Sequence, residues 1–202
     1  MNFSGLNFCD TANGPGCRVS LFVSGCTNRC KGCFSPHTWD FDAGELFARK
    51  QMKEILDKSE PDYIRGLSIL GGEPMHPKNS GAVLDVVREY RDRFGDKKDI
   101  WLWTGYEFQH LYQPLLDCRM DDFFSAGYLD YPKTEEGVEL TKLVDVFVCG
   151  RFDESKKDLT LPYRGSSNQY LVFRKEGEPP NYWCRDTDND VISEKIKKTG
   201  PG

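Results

Sequence analysis

Residues 14–34 read GPGCRVSLFVSGCTNRCKGCF, in which an apolar run ends in three cysteines spaced C-x3-C-x2-C. Three thiolates this close together can bind one metal centre. Structural zinc sites use four ligands, and no fourth cysteine or histidine stands at ligand spacing here. A cubane iron–sulfur cluster normally takes four thiolates, so Cys26, Cys30 and Cys33 would leave one iron open to another ligand. The same spacing could mark one face of a buried helix, but the intervening glycine and charged residues favour a loop.

The composition is that of a globular protein without a nucleic-acid partner. The 202 residues are 38% hydrophobic with a net charge of −5, which favours a single domain and gives no general affinity for polyanions. The first ten residues lack the basic and apolar regions of a secretory signal, and no apolar run is long enough to span a membrane. We therefore expect a cytoplasmic protein that binds neither nucleic acid nor membrane.

Eight cysteines in such a protein indicate metal or redox chemistry more than a disulfide framework. Five of them are scattered outside the loop, and we expect no special role for them: Cys9, Cys17, Cys118, Cys149 and Cys184.

Strands and helices alternate along the chain, which predicts an α/β fold with mainly parallel strands and right-handed crossovers. Strands are predicted at residues 18–23, 65–70, 99–104, 144–149 and 170–173, and helices at about 43–58, 79–94 and 108–116. So few strands favour a partial, open β/α barrel, with the cysteine loop after the first strand. Residues 118–141 are interpreted as an irregular insertion in a core domain of residues 1–174, and residues 175–202 as a polar C-terminal extension.

The second predicted strand runs into Gly71-Gly72-Glu73-Pro74. Two glycines let the backbone approach a ligand closely, and Glu73 places a carboxylate at the strand end, where it would suit a cationic amino group. Alone, these residues indicate only a turn, but the cysteine loop one βα unit earlier makes a cofactor site the better hypothesis, because α/β proteins build sites at this edge. Thr104 and Asn168 could reach the same pocket, although a strand-end threonine is often only a turn residue.

These motifs resemble those of the radical S-adenosylmethionine superfamily and, in detail, its anaerobic ribonucleotide reductase activating proteins. The similarity covers about residues 7–173 and includes Asn13-Gly14-Pro15-Gly16, Thr38-Trp39, Gly72-Glu73-Pro74-Met75-His76-Pro77, Asp99 to Tyr106 and Arg164-Gly165-Ser166-Ser167-Asn168-Gln169. The resemblance implies a radical S-adenosylmethionine core domain that holds a [4Fe–4S] cluster on Cys26, Cys30 and Cys33. With the Gly-Gly-Glu-Pro hypothesis added, the candidate S-adenosylmethionine-binding residues are Gly32, Cys33, Phe34, Gly71, Gly72, Glu73, Thr104 and Asn168.

The resemblance also implies an enzyme with no catalytic residue beyond the cluster and its cofactor. The reduced cluster would cleave S-adenosylmethionine to a 5′-deoxyadenosyl radical, which removes hydrogen from a glycine of the large subunit of anaerobic ribonucleoside-triphosphate reductase and leaves a glycyl radical there. A low-potential electron donor such as flavodoxin would be the second partner. Other functions stay open: activation of another glycyl-radical enzyme, radical chemistry on a small molecule, or a non-catalytic metal-binding scaffold.

Overall fold

A computed structural model describes residues 1–112, 134–174, 183–186 and 192–194. In this part of the chain the strands are β1 (Asn2–Asp10), β2 (Cys17–Val23), β3 (Glu45–Leu46), β4 (Ile64–Gly71), β5 (Asp99–Thr104), β6 (Val146–Cys149), β7 (Tyr170–Arg174) and β8 (Trp183–Asp186). The helices are α1 (Arg49–Ser59), α2 (Pro77–Phe94), α3 (Phe108–Tyr112) and α4 (Glu135–Leu143). None of these helices is long and apolar enough to cross a membrane.

The eight strands form one sheet in the order β3-β1-β2-β4-β5-β6-β7-β8. The four central strands, β2, β4, β5 and β6, are parallel neighbours, whereas the strands on both sides pair antiparallel. The predicted α/β class and the parallel centre are therefore confirmed, but the outer half of the sheet is antiparallel. Closure of this sheet into a partial barrel stays a prediction.

The expectation that the cysteine loop follows the first strand is wrong, because β1 precedes β2. The pattern of β1 is hard to recognise: Gly5 and Asn7 break the apolar alternation, and its register against β2 shifts twice. The helix expected near residue 43 begins at Arg49. Part of the supposed irregular insertion is helical, since Thr134 caps α4 by accepting the N–H of Gly137 at 2.9 Å. Residues 113–133 of that insertion lie outside the described part of the chain.

The helices cover one face of the sheet and bury its alternate side chains. Helix α2 begins at Pro77, which suits the first helical position, after His76, whose Nδ1 accepts the N–H of Lys78. Fully buried residues of this core include Val19, Leu21, Leu67, Ile69, Ile100 and Leu102 from the parallel strands and Ile55, Val83 and Val87 from α1 and α2. This packing fixes the positions at which the parallel strands end.

A second apolar cluster covers the opposite face and includes part of the C-terminal extension. It contains Trp101, Val146, Val148, Leu171, Phe173 and Ile192. Because Ile192 is buried there and β8 pairs with β7, segments beyond residue 174 belong to the folded sheet.

Arg18 carries a buried charge beneath this second face. Its guanidinium donates to Asp99 Oδ1 at 2.5 Å, to Ser68 Oγ at 2.7 Å and to the carbonyl of Leu67 at 2.9 Å. Ser68 Oγ in turn donates to the carbonyl of Asn13 at 2.6 Å. The ion pair therefore fixes the turn that precedes β2.

Two of the cysteines expected to have no role form a disulfide. Cys9 and Cys17 are joined across β1 and β2, with their Cα atoms 5.2 Å apart. That expectation was wrong because it took no account of the antiparallel pairing of β1 with β2. Cys149 is buried at the end of β6, and Cys118 lies outside the described residues.

Candidate functional site

A cleft of about 610 Å³ lies at the carboxyl ends of the parallel strands. Eight of the ten candidate site residues line it: Cys26, Cys30, Cys33, Phe34, Gly71, Gly72, Glu73 and Thr104. The fold thus brings the cysteine loop and the Gly-Gly-Glu-Pro turn to the walls of one cavity, although the two motifs lie about 40 residues apart.

The cysteine loop is fixed by backbone hydrogen bonds where it leaves β2. The N–H of Gly25 donates to the carbonyl of Thr38 at 2.7 Å, and that of Cys26 to the carbonyl of Trp39 at 3.0 Å. Gly25 has a φ of 95°, and a Cβ atom at this position would lie 2.0 Å from the Phe41 ring. Only glycine fits this turn, which sets the direction in which Cys26 enters the cleft.

The Cys33 sulfur accepts a hydrogen bond from the backbone N–H of Ser35 at 3.4 Å. Such donors stabilise thiolates and tune the potential of a bound cluster.

Cys26 and Cys30 are harder to ionise than ordinary cysteines. Burial, assisted by the Glu73 carboxylate, raises the pKa of Cys26 to about 11, and burial and Cys33 raise the pKa of Cys30. Because metal coordination deprotonates a thiol outright, cluster binding must release protons from this loop.

The donor set fits an iron–sulfur cluster. Cys26, Cys30 and Cys33 are free cysteines that line the cleft, and thiolates are the usual ligands of such clusters. A structural zinc site takes four ligands, and this loop has only three cysteines.

Glu73 is a buried carboxylate surrounded by hydrogen-bond donors. It is 1% exposed; Oε1 accepts from Thr104 Oγ1 at 2.7 Å and from the N–H of Met75 at 3.0 Å. Oε2 accepts from the N–H of Gly105 at 2.8 Å and from Asn28 Nδ2 at 3.0 Å. Burial nevertheless outweighs these donors and raises the pKa of Glu73 to about 7. A cationic group in the cleft would lower this pKa and keep the carboxylate ionised.

Asn79, in the first turn of α2, joins the cysteine loop to the Gly-Gly-Glu-Pro turn. Its side chain is buried, and Nδ2 donates to the carbonyls of Ser24 at 2.9 Å, Glu73 at 3.0 Å and Gly25 at 3.4 Å. The N–H of Glu73 also donates to the carbonyl of Gly25 at 2.8 Å. The turns pack so closely that a Cβ atom on Gly72 would lie 2.5 Å from the oxygen of Gly25.

Phe34 lies at the rim of the cleft with 57% of its surface exposed. Its ring packs against that of Phe152, with the centroids 5.0 Å apart, and Lys157 Nζ stands 5.3 Å from its centroid. A ligand in the cleft could therefore contact Phe34 from the open side.

The remaining two candidates are placed elsewhere. Gly32 has a φ of 71° and is not among the residues that line the cleft. Asn168 lines a neighbouring pocket, where its Nδ2 donates to the carbonyl of Arg151 at 2.8 Å. Sequence reasoning missed Asn28, Asn79 and Arg151, because isolated asparagine and arginine residues carry no recognisable spacing.

Comparison with known proteins identifies the family. A family model described as a 4Fe-4S single cluster domain matches residues 12–172. A protein of Enterobacteria phage T4 named anaerobic ribonucleoside-triphosphate reductase-activating protein is 36% identical over 177 residues, which are 88% of this chain and 97% of that protein. This chain belongs to the anaerobic ribonucleoside-triphosphate reductase-activating protein family. Members with the same name from Vibrio cholerae and Escherichia coli K12 are 38% and 34% identical over 173 residues, 85% of this chain and 97% of each relative.

Membership of the anaerobic ribonucleoside-triphosphate reductase-activating protein family confirms the resemblance found in the sequence. The family model also confirms the predicted [4Fe–4S] cluster as a cofactor, and its assignment to Cys26, Cys30 and Cys33 stays a prediction.

Proposed function

We propose that this chain uses a [4Fe–4S] cluster on Cys26, Cys30 and Cys33, together with S-adenosylmethionine, to generate a glycyl radical on anaerobic ribonucleoside-triphosphate reductase. The observation that carries the proposal is the single cleft in which these cysteines face the Gly-Gly-Glu-Pro turn. The names of the relatives support the choice of protein substrate.

When bound, the cluster would supply one electron for cleavage of S-adenosylmethionine to methionine and a 5′-deoxyadenosyl radical, which would take a hydrogen atom from the reductase glycine. The protein would position these partners. Cys26, Cys30 and Cys33 would hold the cluster and leave one iron without a protein ligand for the cofactor. Gly71 and Gly72 allow close backbone approach, and Glu73, held by its four donors, supplies negative charge beside the amino group.

The walls of the cleft protect a reactive radical. Phe22, Leu70, Trp103 and Leu161 line it, and the indole N–H of Trp103 is already engaged by the carbonyl of Tyr163 at 3.0 Å. Apolar walls exclude water and limit side reactions.

Three further assignments belong to the proposal. Phe34 and the backbone of Gly32 contact the cofactor at the rim, as the family resemblance implies, and Asn168 acts through Arg151 rather than by direct contact. A low-potential donor such as flavodoxin reduces the cluster. The place of action is the cytoplasm, where the reductase finds its nucleotide substrates.

The test is anaerobic reconstitution with iron and sulfide, followed by reduction and addition of S-adenosylmethionine with and without the reductase. We expect 5′-deoxyadenosine in every complete reaction, and a glycyl radical signal in electron paramagnetic resonance only with the reductase. Cys30→Ala should abolish both, because two thiolates cannot hold the cubane securely. Cys149→Ala is the matched control: it removes a cysteine that does not line the cleft and should retain the cluster.

The alternatives give different results. Cofactor cleavage without a glycyl radical on this reductase would point to another glycyl-radical enzyme or to a small-molecule substrate. A bound metal without any cofactor cleavage would favour a scaffold and refute the radical assignment.

A further inference from the structure

Asn28, in the middle of the cysteine loop, contacts two residues that follow other strands of the sheet. Its Nδ2 donates to Glu73 Oε2 at 3.0 Å, and its Oδ1 accepts from Arg151 Nε at 3.1 Å. One side chain therefore bonds both the buried carboxylate and a cation of the rim.

The surroundings of Asn28 are shaped to admit its amide. A Cβ atom on Gly105 would lie 2.4 Å from Asn28 Nδ2, so the residue after β5 must be small for the amide to reach Glu73. An amide both donates and accepts, and this position uses both: Glu73 requires a donor and Arg151 requires an acceptor. Neither a carboxylate nor an alkyl side chain meets both demands.

The contacts of Asn28 join the ends of all four parallel strands. The cysteine loop follows β2, Glu73 follows β4, Gly105 follows β5 and Arg151 follows β6. Because these segments are far apart in sequence, packing of the strands alone does not fix the distances between the loops that line the cleft. The Asn28 amide supplies that cross-link at the level of the cleft.

We propose that Asn28 is a positioning residue that holds the cysteine loop in its cluster-binding conformation by bonding Glu73 and Arg151 at once. The proposal rests on the proposed function only for the identity of the bound cluster. Loss of the amide would free the loop and expose the Cys26 sulfur to chelators. Outer-shell changes of this kind typically cost 10–100-fold in metal affinity.

The test compares Asn28→Ala, Asn28→Asp, Arg151→Ala and the double variant Asn28→Ala/Arg151→Ala, with Thr27→Ala as a control at an exposed position in the same loop. Three properties are measured: hydrogen exchange of residues 26–33 in the metal-free protein, the rate at which a chelator removes iron from the reconstituted protein, and the midpoint potential of the cluster.

We expect both Asn28 variants to lose iron about 10–100 times faster than wild type, to exchange loop amides faster and to have a more negative potential, because fewer N–H donors stabilise the reduced cluster. Aspartate keeps an acceptor for Arg151 but replaces the donor to Glu73 with a carboxylate oxygen. Asn28→Asp should therefore hold the loop no better than Asn28→Ala, although it changes the side chain less. Arg151→Ala should have a weaker effect that disappears in the Asn28→Ala background, since coupled residues are not additive.

Asn28 variants that match Thr27→Ala in exchange, iron loss and potential would overturn the proposal, and so would an Arg151→Ala effect of equal size with and without Asn28. If wild type binds a cluster but produces no 5′-deoxyadenosine, the proposed function fails while the positioning role is still decided by iron loss. If wild type binds no cluster, the hydrogen exchange of the metal-free loop decides it.

Discussion

Replacement of Asn79 tests how the two turns of the site are held together. Nδ2 of this buried side chain donates to the carbonyls of Ser24 and Glu73 at 2.9 and 3.0 Å, with a longer bond to the carbonyl of Gly25 at 3.4 Å. Asn79→Ala removes the donor and leaves carbonyl oxygens without it in a site closed to water. Asn79→Asp keeps the shape but directs a carboxyl group at the same three oxygens.

The expected cost follows from the number of bonds. The bond to the Glu73 carbonyl contributes about 1 kcal/mol, because that oxygen still accepts the N–H of His76 at 3.2 Å. The buried Ser24 carbonyl loses its donor, which costs about 1–3 kcal/mol. Asn79→Ala should therefore lower the free energy of unfolding by about 2–4 kcal/mol, out of a total of about 5–15 kcal/mol for a typical domain. Asn79→Asp should cost more at pH 7, because an ionised carboxylate then faces carbonyl dipoles of the same sign.

Guanidinium denaturation of the metal-free protein at pH 7 measures both variants, and iron content after reconstitution measures the site. Asp85→Ala, at an exposed position on the same helix, is the control and should change stability by less than about 0.5 kcal/mol. The difference between the two Asn79 variants should shrink in acid, where the introduced carboxyl is protonated and can donate. An aspartate variant as stable as wild type, or more stable than the alanine variant at pH 7, would refute this reasoning.

Three other changes test separate parts of the structure. Asp99→Ala should cost about 3–5 kcal/mol in denaturant melts, because it leaves the fully buried charge of Arg18 without its partner. Glu73→Gln should flatten the pH dependence of stability. Because the pKa of Glu73 is about 7 in the folded protein against an ordinary 4.5, the free energy of unfolding of wild type should fall by about 3 kcal/mol as the pH rises from 4.5 through 7. Gly72→Ala should prevent stable cluster binding, because its methyl group would lie 2.5 Å from the oxygen of Gly25.

Two of these changes have a control variant within the chain, and each has an outcome that would contradict it. Asp99→Asn keeps an acceptor for the guanidinium and should cost less than the alanine change; equal costs would contradict the buried-charge argument. If the free energy of unfolding of Glu73→Gln depends on pH as steeply as that of wild type, groups other than Glu73 cause the pH dependence. Gly81→Ala introduces a methyl group with nothing within 4 Å in a helix, and it should stabilise by about 0.5–1 kcal/mol; Gly72→Ala behaving in the same way would disprove the close packing of the two turns.

The sequence predicts the centre of this fold better than its edges. Strand β5 begins and ends at the predicted residues, Asp99 and Thr104. A short apolar run bounded by polar residues and glycine is typical of a buried strand. Strand β1 has no such pattern, because most of its residues are only partly buried or exposed. Helix α4 was not predicted, because its amphipathic stretch is short and begins with two glutamates.

The residues of the site also divide into those that the sequence predicts and those that it does not. Cys26, Cys30 and Glu73 can be found because their chemistry requires those residue types at a fixed spacing or at a strand end. Asn28 and Asn79 cannot, since their roles depend on which carbonyl or carboxylate the fold brings within 3 Å. A pattern along the chain holds no information on distances between loops.

The bond between Asn28 and Arg151 joins residues 123 positions apart, and this separation has a consequence for biogenesis. During synthesis the cysteine loop leaves the ribosome long before β6 exists, and contacts between distant segments form late in folding. Until then the loop lacks the cross-link through Asn28. We therefore expect iron and sulfide to be inserted after the whole chain has folded. If they were delivered earlier, the cysteine loop would not yet be held in place to bind the cluster.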